Sequence, residues 1–256
     1  MKDKADIVAN WLPRYTGLGL EAIGRHVLLT NFLRYVELFA EWHRVPVVGI
    51  DRPMPSATAD GLTIINFSMG SANAATIMDL LTAIQPAAVL FLGKCGATKE
   101  GLQLGDLILP IAAIRGEGTS NDYLPAEVPA LPAFALQKAV STTITAHERE
   151  YFTGVVYTTN RRVWEHDADF KSYLQRIRCT AIDMETATIF TVGFANHIPT
   201  GALLLVSDQP MTPEGIKTAE SDARVSQTHL GEHLRIGIES LRHIMENRPP
   251  LKHLRF

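Results

Sequence analysis

The sequence predicts an α/β protein, a single domain over residues 1–256 with a mixed, largely parallel central sheet flanked by helices. Three observations predict it. Short apolar runs alternate with segments of helical spacing along most of the chain, the pattern of βα units. Some runs, such as Ala87 to Leu92, are apolar at every position, as in strands buried on both faces. Several runs also end in glycines or acids, where open α/β sheets place their ligands.

Taken in order, Ile23 to Leu29 reads as a strand ending at Thr30-Asn31. Phe32 to Trp42 has apolar residues at 32, 33, 36, 39 and 40, which is helical spacing. Val45 to Ile50 reads as a further strand. Arg52 to Ser56 reads as a loop, because its two prolines exclude regular structure. Leu62 to Phe67 is a strand, Ser68 to Asn73 a turn and Ala74 to Ile84 a helix that Gln85-Pro86 ends. After the strand at 87–92 comes Gly93-Lys94-Cys95-Gly96. Gly105 to Pro110 and Ala112 to Arg115 are strands, followed by the polar loop Gly116 to Asp122 and a proline-rich connection over 123–132. Phe134 to Thr142 is a helix. Tyr151 to Tyr157 and Cys179 to Asp183 are strands, and Met184 to Asn196 is the helix that follows the second. Ala202 to Val206 is the last strand. Gln209 to Gly215 is a loop, Thr218 to Glu246 has helical periodicity, and a basic tail closes the chain at Leu251 to Phe256.

Composition narrows the function classes. The chain has 256 residues, of which 46% are hydrophobic, enough for a full core. Two cysteines, Cys95 and Cys179, indicate neither a disulfide framework nor a zinc cluster, and a reducing cytoplasm fits them best. The N-terminus shows no apolar signal segment, and the apolar runs are too short to span a bilayer, so no membrane role is expected. A net charge of −3 does not suggest a nucleic-acid footprint, which needs a basic excess on one face. An anionic small ligand remains compatible, because a few placed cations suffice.

The chemistry gathers at four strand ends: 68–73, 93–96, 183–185 and 207–208. Asp183 and Glu185 flank Met184 at a strand-to-helix junction, where a helix start exposes backbone N–H groups. Asp183 reads equally as a helix cap or a site residue. Glu185 reads as a site acid, because its neighbours Met184 and Ala187 are apolar. Asp208, after Leu-Leu-Leu-Val-Ser, reads either as a loop cap or as a carboxyl kept protonated by apolar surroundings and ready to donate. Gly93 and Gly96 let the backbone approach a ligand, and Lys94 adds a positive charge, but the same spacing also suits a plain tight turn. Cys95 reads as a nucleophile beside a cation or, more commonly, as a buried structural thiol. The histidines at 26, 197, 229, 233, 243 and 253 are scattered, mostly on expected helix surfaces or in the tail, and no zinc site is expected from them. No Walker loop, dinucleotide fingerprint or Gly-x-Ser-x-Gly elbow occurs.

Together, Gly93-Lys-Cys-Gly-Ala97, Asp183-Met-Glu-Thr-Ala187 and Ser207-Asp208 resemble, in order and spacing, the nucleoside phosphorylase/nucleosidase superfamily. Leu29 to Phe32, Tyr35 to His43, Asn73 to Asp79, Gly116 to Ser120 and the tail bring the chain nearer to its AMP-hydrolysing members. The resemblance implies hydrolysis of the N-glycosidic bond of AMP to adenine and ribose 5-phosphate, without metal or organic cofactor. It implies Asp208 as general acid at purine N7 and Glu185 as the grip on the ribose 2′- and 3′-hydroxyls, with Met184 against the sugar face. Thr30, Asn31, Gly70, Ser71, Asn73, Lys94, Cys95 and Gly96 would line the pocket where phosphorylases hold phosphate. Loop 158–164, including Asn160 and Trp164, would lie along the base. Phosphorylases of the superfamily usually carry an arginine where this chain has Phe91, and a small hydroxyl residue where it has Lys94, which argues against phosphorolysis. For the 5′-phosphate the candidates are Arg14, Arg34, Arg44 and Lys94. A homo-oligomer, hexameric by analogy, is expected.

Overall fold

The computed structural model describes residues 3–247. The elements run α1 (Lys4–Thr16), β1 (His26–Thr30), α2 (Leu33–His43), β2 (Ser56–Ala59), β3 (Leu62–Asn66), α3 (Ser71–Leu80) and β4 (Ala88–Ala97). They continue with β5 (Leu107–Gly116), α4 (Phe134–Ala146), β6 (Phe152–Thr159), α5 (Ala168–Arg176), β7 (Ala181–Asp183), α6 (Thr186–Ala195), β8 (Thr200–Asp208) and α7 (Ala219–Asn247). The expected basic tail at 251–256 lies outside the described residues.

Eight strands form one mixed sheet in the order β2-β3-β1-β4-β7-β6-β5-β8, and β8 also pairs with β4. That extra pairing folds the second half of the sheet into a closed ring, β4-β7-β6-β5-β8. Strand β1 runs parallel to β3 and β4, β4 parallel to β8, and β6 parallel to β5 and β7. The pairs β2–β3, β4–β7 and β5–β8 are antiparallel.

The sheet has an apolar layer on each face, and β4 shows how the sequence builds both. Val89, Phe91 and Cys95 point into one layer, with α3 and α6; Ala88, Leu90 and Leu92 point into the other, with α2, α4 and α7. With a side-chain period of 2, a strand covered on both sides must be apolar at successive positions. Each such large side chain contributes about 1.5–3 kcal/mol by leaving water. Helix α6 is buried along nearly its whole length, which is why its sequence lacks a polar stripe. Among the described residues no helix is long and apolar enough to cross a membrane.

Four local expectations are corrected. Val45 to Ile50 is not a strand: only Val48 makes an isolated bridge, to Ser56, with Pro46 and Gly49 on either side of it. Ser56 opens β2 rather than closing a loop. The two strands expected around 105–115 are one strand, β5, whose register slips between Pro110 and Ala112. The Gly93–Gly96 segment is no turn: it lies within β4, held by β8 on one side and by β7 at Gly96 on the other. Helices α1 and α5 are additions to the expected elements; each buries few residues and starts at an aspartate that accepts from a first-turn N–H.

Candidate active site

The ends of β4, β7 and β8 and the loop after β6 meet around a cavity of about 260 Å³. Glu185 and Asp208 both line it, together with Asn31, Phe32, Met69 and Met184. Lys94, Cys95, Gly96 and Trp164 line it as well.

Glu185 is 1% exposed at the start of α6. Its Oε1 accepts the Gly70 N–H at 2.8 Å and its Oε2 the Met184 N–H at 3.3 Å. The Asn31 side chain also supports the carboxylate. Burial and the neighbouring Asp183 charge nevertheless push its pKa up to about 8. Gly70 offers its N–H from a backbone at φ 100°, a conformation open to glycine at little cost. Ser71 donates its hydroxyl to the Met184 carbonyl at 2.6 Å, so one turn grips both residues of the junction.

Asp183 is engaged differently. Its Oδ1 accepts from the Thr158 hydroxyl at 2.7 Å, and its Oδ2 from the Thr186 N–H at 2.8 Å and from the Thr186 hydroxyl. These bonds tie the first turn of α6 to β6. Burial outweighs them and raises its pKa. Asp183 thus holds the first turn of α6 and lines the cavity, while the N-cap position itself belongs to Glu185.

Asp208 ends β8 and is 9% exposed. Its surroundings are polar rather than apolar, a correction to the sequence reading. The Ser207 hydroxyl donates to Oδ1 at 2.8 Å, and the Lys217 ammonium lies 3.2 Å from the same oxygen. Gly96 makes room for it: a Cβ there would come within 3.2 Å of Asp208 Oδ2 and 2.8 Å of Pro210 Cγ.

Lys94 is buried with its side chain 3% exposed. Its ammonium donates to Asp222 Oδ1 at 2.9 Å and to Ser226 Oγ at 2.7 Å, and stands 4.6 Å from the centre of the Phe32 ring. Burial lowers its pKa while Asp222 opposes the shift. The Cys95 thiol is buried and pushed well up, which fits a structural thiol rather than a nucleophile.

The remaining candidates scatter. Thr30 is fully buried at the end of β1 and accepts from the Phe32 N–H; it does not line the cavity. Asn73 turns back to the Met69 carbonyl, and Asn160 is exposed; neither lines the cavity. Arg44 caps α2, Arg34 pairs with Glu37 and Glu41, and Arg14 sits exposed at the end of α1. None of the three reaches the cavity. Its cations are Lys94, Lys217, Arg161 and Arg162; Lys217 was unforeseen in the sequence, and Arg161 and Arg162 were not singled out within their loop. Asp222, Glu165 and Phe32 were likewise missed. Arg161 and Arg162 fall within the loop 158–164 expected along the base.

The fold and this site define a class. The chain belongs to the phosphorylase superfamily, which matches residues 34–239. It is 31% identical over 277 residues to AMP nucleosidase of Escherichia coli (strain K12), covering 90% of this chain and 57% of that protein. The chain thus spans little more than half the length of that relative. The crystal structure of AMP nucleosidase from Bacteroides thetaiotaomicron VPI-5482 is 56% identical, with a TM-score of 0.85 over 96% of this chain and 100% of that one. Purine nucleoside phosphorylase from Toxoplasma gondii, 18% identical with a TM-score of 0.79 over 90% of this chain and 95% of that one, shares the fold.

Proposed function

We propose that this chain hydrolyses the N-glycosidic bond of AMP, releasing adenine and ribose 5-phosphate. The observation that carries the reading is that Glu185 and Asp208, from separate strand ends, line one cavity of about 260 Å³. The likeness to AMP nucleosidases supports the choice of AMP.

In this reading Glu185 accepts from the two ribose hydroxyls. A diol offers a carboxylate two donors, which offsets the burial that otherwise favours its protonated form. Asn31 Oδ1, buried and without a protein partner, is a further acceptor facing the same space. Met184 packs against the sugar. As the glycosidic bond breaks, positive charge grows on the ribosyl ring and negative charge on the purine. Asp208 protonates or hydrogen-bonds the purine at N7, so that adenine leaves neutral; such acid help is worth about 10²–10⁴-fold. Water takes the place that phosphate has in a phosphorylase.

Phe91, buried in β4 where phosphorylases of the superfamily usually carry an arginine, supports hydrolysis over phosphorolysis. The test is product analysis after incubation of the purified protein with AMP or adenosine, each with and without inorganic phosphate. Adenine and ribose 5-phosphate from AMP, at a rate phosphate does not raise, is the expected result. Ribose 1-phosphate formed from adenosine only when phosphate is present would overturn it.

A further inference from the structure

The 5′-phosphate of AMP calls for a cation, and the cations of the cavity differ in how far they are already committed. Of the candidates expected from the sequence, only Lys94 lines the cavity. Its buried ammonium donates to both Asp222 and Ser226. Lys217 lies between two carboxylates, 3.2 Å from Asp208 Oδ1 and 3.8 Å from Asp222 Oδ1. Arg161 is held twice: it donates to Asp167 Oδ2 at 2.9 Å, and its guanidinium carbon stands 5.3 Å from the centre of the Phe170 ring. Arg224 lines an adjoining pocket with Glu214 and Glu220, not this one. Among the described residues that leaves Arg162. Its Nη1 donates to Glu165 Oε1 at 3.2 Å, and its side chain is 53% exposed where it lines the cavity. A guanidinium carries five N–H donors in a planar fork, so this bond leaves donors for a second anion.

We infer that Arg162 holds the 5′-phosphate of AMP and thereby sets a preference for the nucleotide over the nucleoside. The inference rests on the proposed reading of Glu185 as the grip on the diol. The stereochemistry of ribose then orients the rest of the substrate. The 2′- and 3′-hydroxyls leave one face of the ring, and the base and C5′ both leave the other. Glu185, 1% exposed, takes the hydroxyl face at a deep point of the cavity. The base and the 5′-phosphate therefore share the side turned away from it. The loop after β6 supplies that side with Trp164 and, two positions earlier, Arg162. A phosphate beside the exposed Arg162 also keeps part of its hydration, which a place beside the buried Lys94 would strip away.

Glu165 steers the guanidinium. Its Oε2 accepts the Trp164 N–H at 2.9 Å while its Oε1 takes Arg162, so the acid itself is fixed. An ion pair to so exposed an arginine contributes little by itself, whereas a forked pair between arginine and phosphate is charge-assisted on both sides. The Glu165 charge opposes a second anion, so it limits the affinity of the site while it sets the orientation.

The test is adenine release from AMP and from adenosine by the purified wild type, Arg162→Gln, Arg162→Lys and Arg161→Gln, with calorimetric binding of ribose 5-phosphate to each. Arg162 is half exposed in a loop, so its variants are expected to fold. In Arg162→Gln the ratio of kcat/KM for AMP to that for adenosine should fall by about 10–100-fold, and ribose 5-phosphate should bind more weakly to match. Arg162→Lys should recover part of the ratio, since an ammonium keeps the charge without the fork. Arg161→Gln should change the ratio less than about threefold. An unchanged ratio in Arg162→Gln, or equal losses on the two substrates, would overturn the inference, as would a fall confined to Arg161→Gln. A wild type that releases no adenine from AMP would end the hydrolytic reading. The phosphate site would then be overturned with it only if ribose 5-phosphate bound wild type and Arg162→Gln equally; weaker binding to the variant would still support it.

Discussion

The carboxylate of Glu185 accepts a hydrogen bond from the backbone of Gly70, 115 positions earlier in the chain, at 2.8 Å. The bond joins the turn before α3 to the junction before α6. It fixes one oxygen of an acid that burial and Asp183 both work to neutralise. The site is thus built against its own folding preference: the fold encloses a carboxylate pair that prefers to be protonated.

That conflict sets a pH dependence. The folded-state pKa of Glu185, raised to about 8, lies above its ordinary value of 4.5. A raised carboxyl binds its proton more tightly in the folded state, so its contribution is fully present below about pH 4.5 and is lost as pH rises through 8. Glu185→Gln removes the titration. Its melting temperature should gain on the wild type between pH 6 and pH 9, by an amount equivalent to a few kcal/mol. AMP binding and turnover should both fall, because a neutral amide replaces the grip on the diol. A melting-temperature difference that stays constant across that range would show that Glu185 does not titrate there.

Asp208 should separate binding from chemistry. Asp208→Asn keeps the shape of the residue and can still accept from Ser207, but has no acidic proton to deliver. Turnover of AMP should fall by about 10²–10⁴-fold while nucleotide affinity stays within a few-fold, as read by single-turnover kinetics and calorimetry. Equal losses in affinity and rate would mean that Asp208 holds the substrate rather than activates its leaving group.

A second pH effect comes from beneath the site. His233, 1% exposed, is held at Nδ1 by the Tyr35 hydroxyl at 2.8 Å and at Nε2 by the Leu203 carbonyl at 3.0 Å. This pairing selects the tautomer that donates from Nε2. Burial lowers its pKa from 6.5 to about 4. The unfolded chain therefore binds this proton more readily, and stability present above pH 6.5 is lost as pH falls toward 4. Urea unfolding should show about 2 kcal/mol less stability from this residue at pH 5 than at pH 7, and His233→Phe should flatten that part of the dependence. An unchanged slope in the variant would assign the acid sensitivity elsewhere.

How far the sequence could be read follows from what each residue answers to. The βα alternation and the acid-tipped strands were legible because strand burial and helix starts are local properties. The positions of Asp183, Glu185 and Asp208 at the ends of β7 and β8 and the start of α6 were legible for the same reason. Lys217 and Asp222 were not, since their place in the cavity depends on a loop and a helix folding back over the sheet. Gly93–Gly96 read as a turn because glycines normally mark one. The pairing of β4 with β8 as well as β7, a long-range fact, keeps it extended. His233 read as a surface residue, because the helical period alone does not say that α7 buries that face against Tyr35 and Leu203.

Gly96 offers the sharpest test of that extended segment. It pairs with Asp208 across β4 and β8, just where the register slips after Cys95. A methyl group there would meet Pro210 Cγ at 2.8 Å, Pro210 Cδ at 3.0 Å and Asp208 Oδ2 at 3.2 Å. The proline ring is rigid, so the strand end itself must give way. Gly96→Ala should cost about 1–3 kcal/mol in stability, the usual range for overpacking a filled space. Its larger effect should be on rate, because a shift of about 1 Å in a catalytic carboxylate can cost about 10²-fold. The comparison that decides it is Gly93→Ala, three positions earlier, where the added Cβ would meet the Phe91 ring at 2.4 Å and Leu204 Cδ2 at 3.1 Å instead of the acid. Both variants should lose stability, and only Gly96→Ala should lose kcat beyond what its folded fraction explains. Equal kcat per folded molecule in the two would place the Asp208 carboxylate out of reach of the Gly96 backbone and remove the steric reason for glycine at that position.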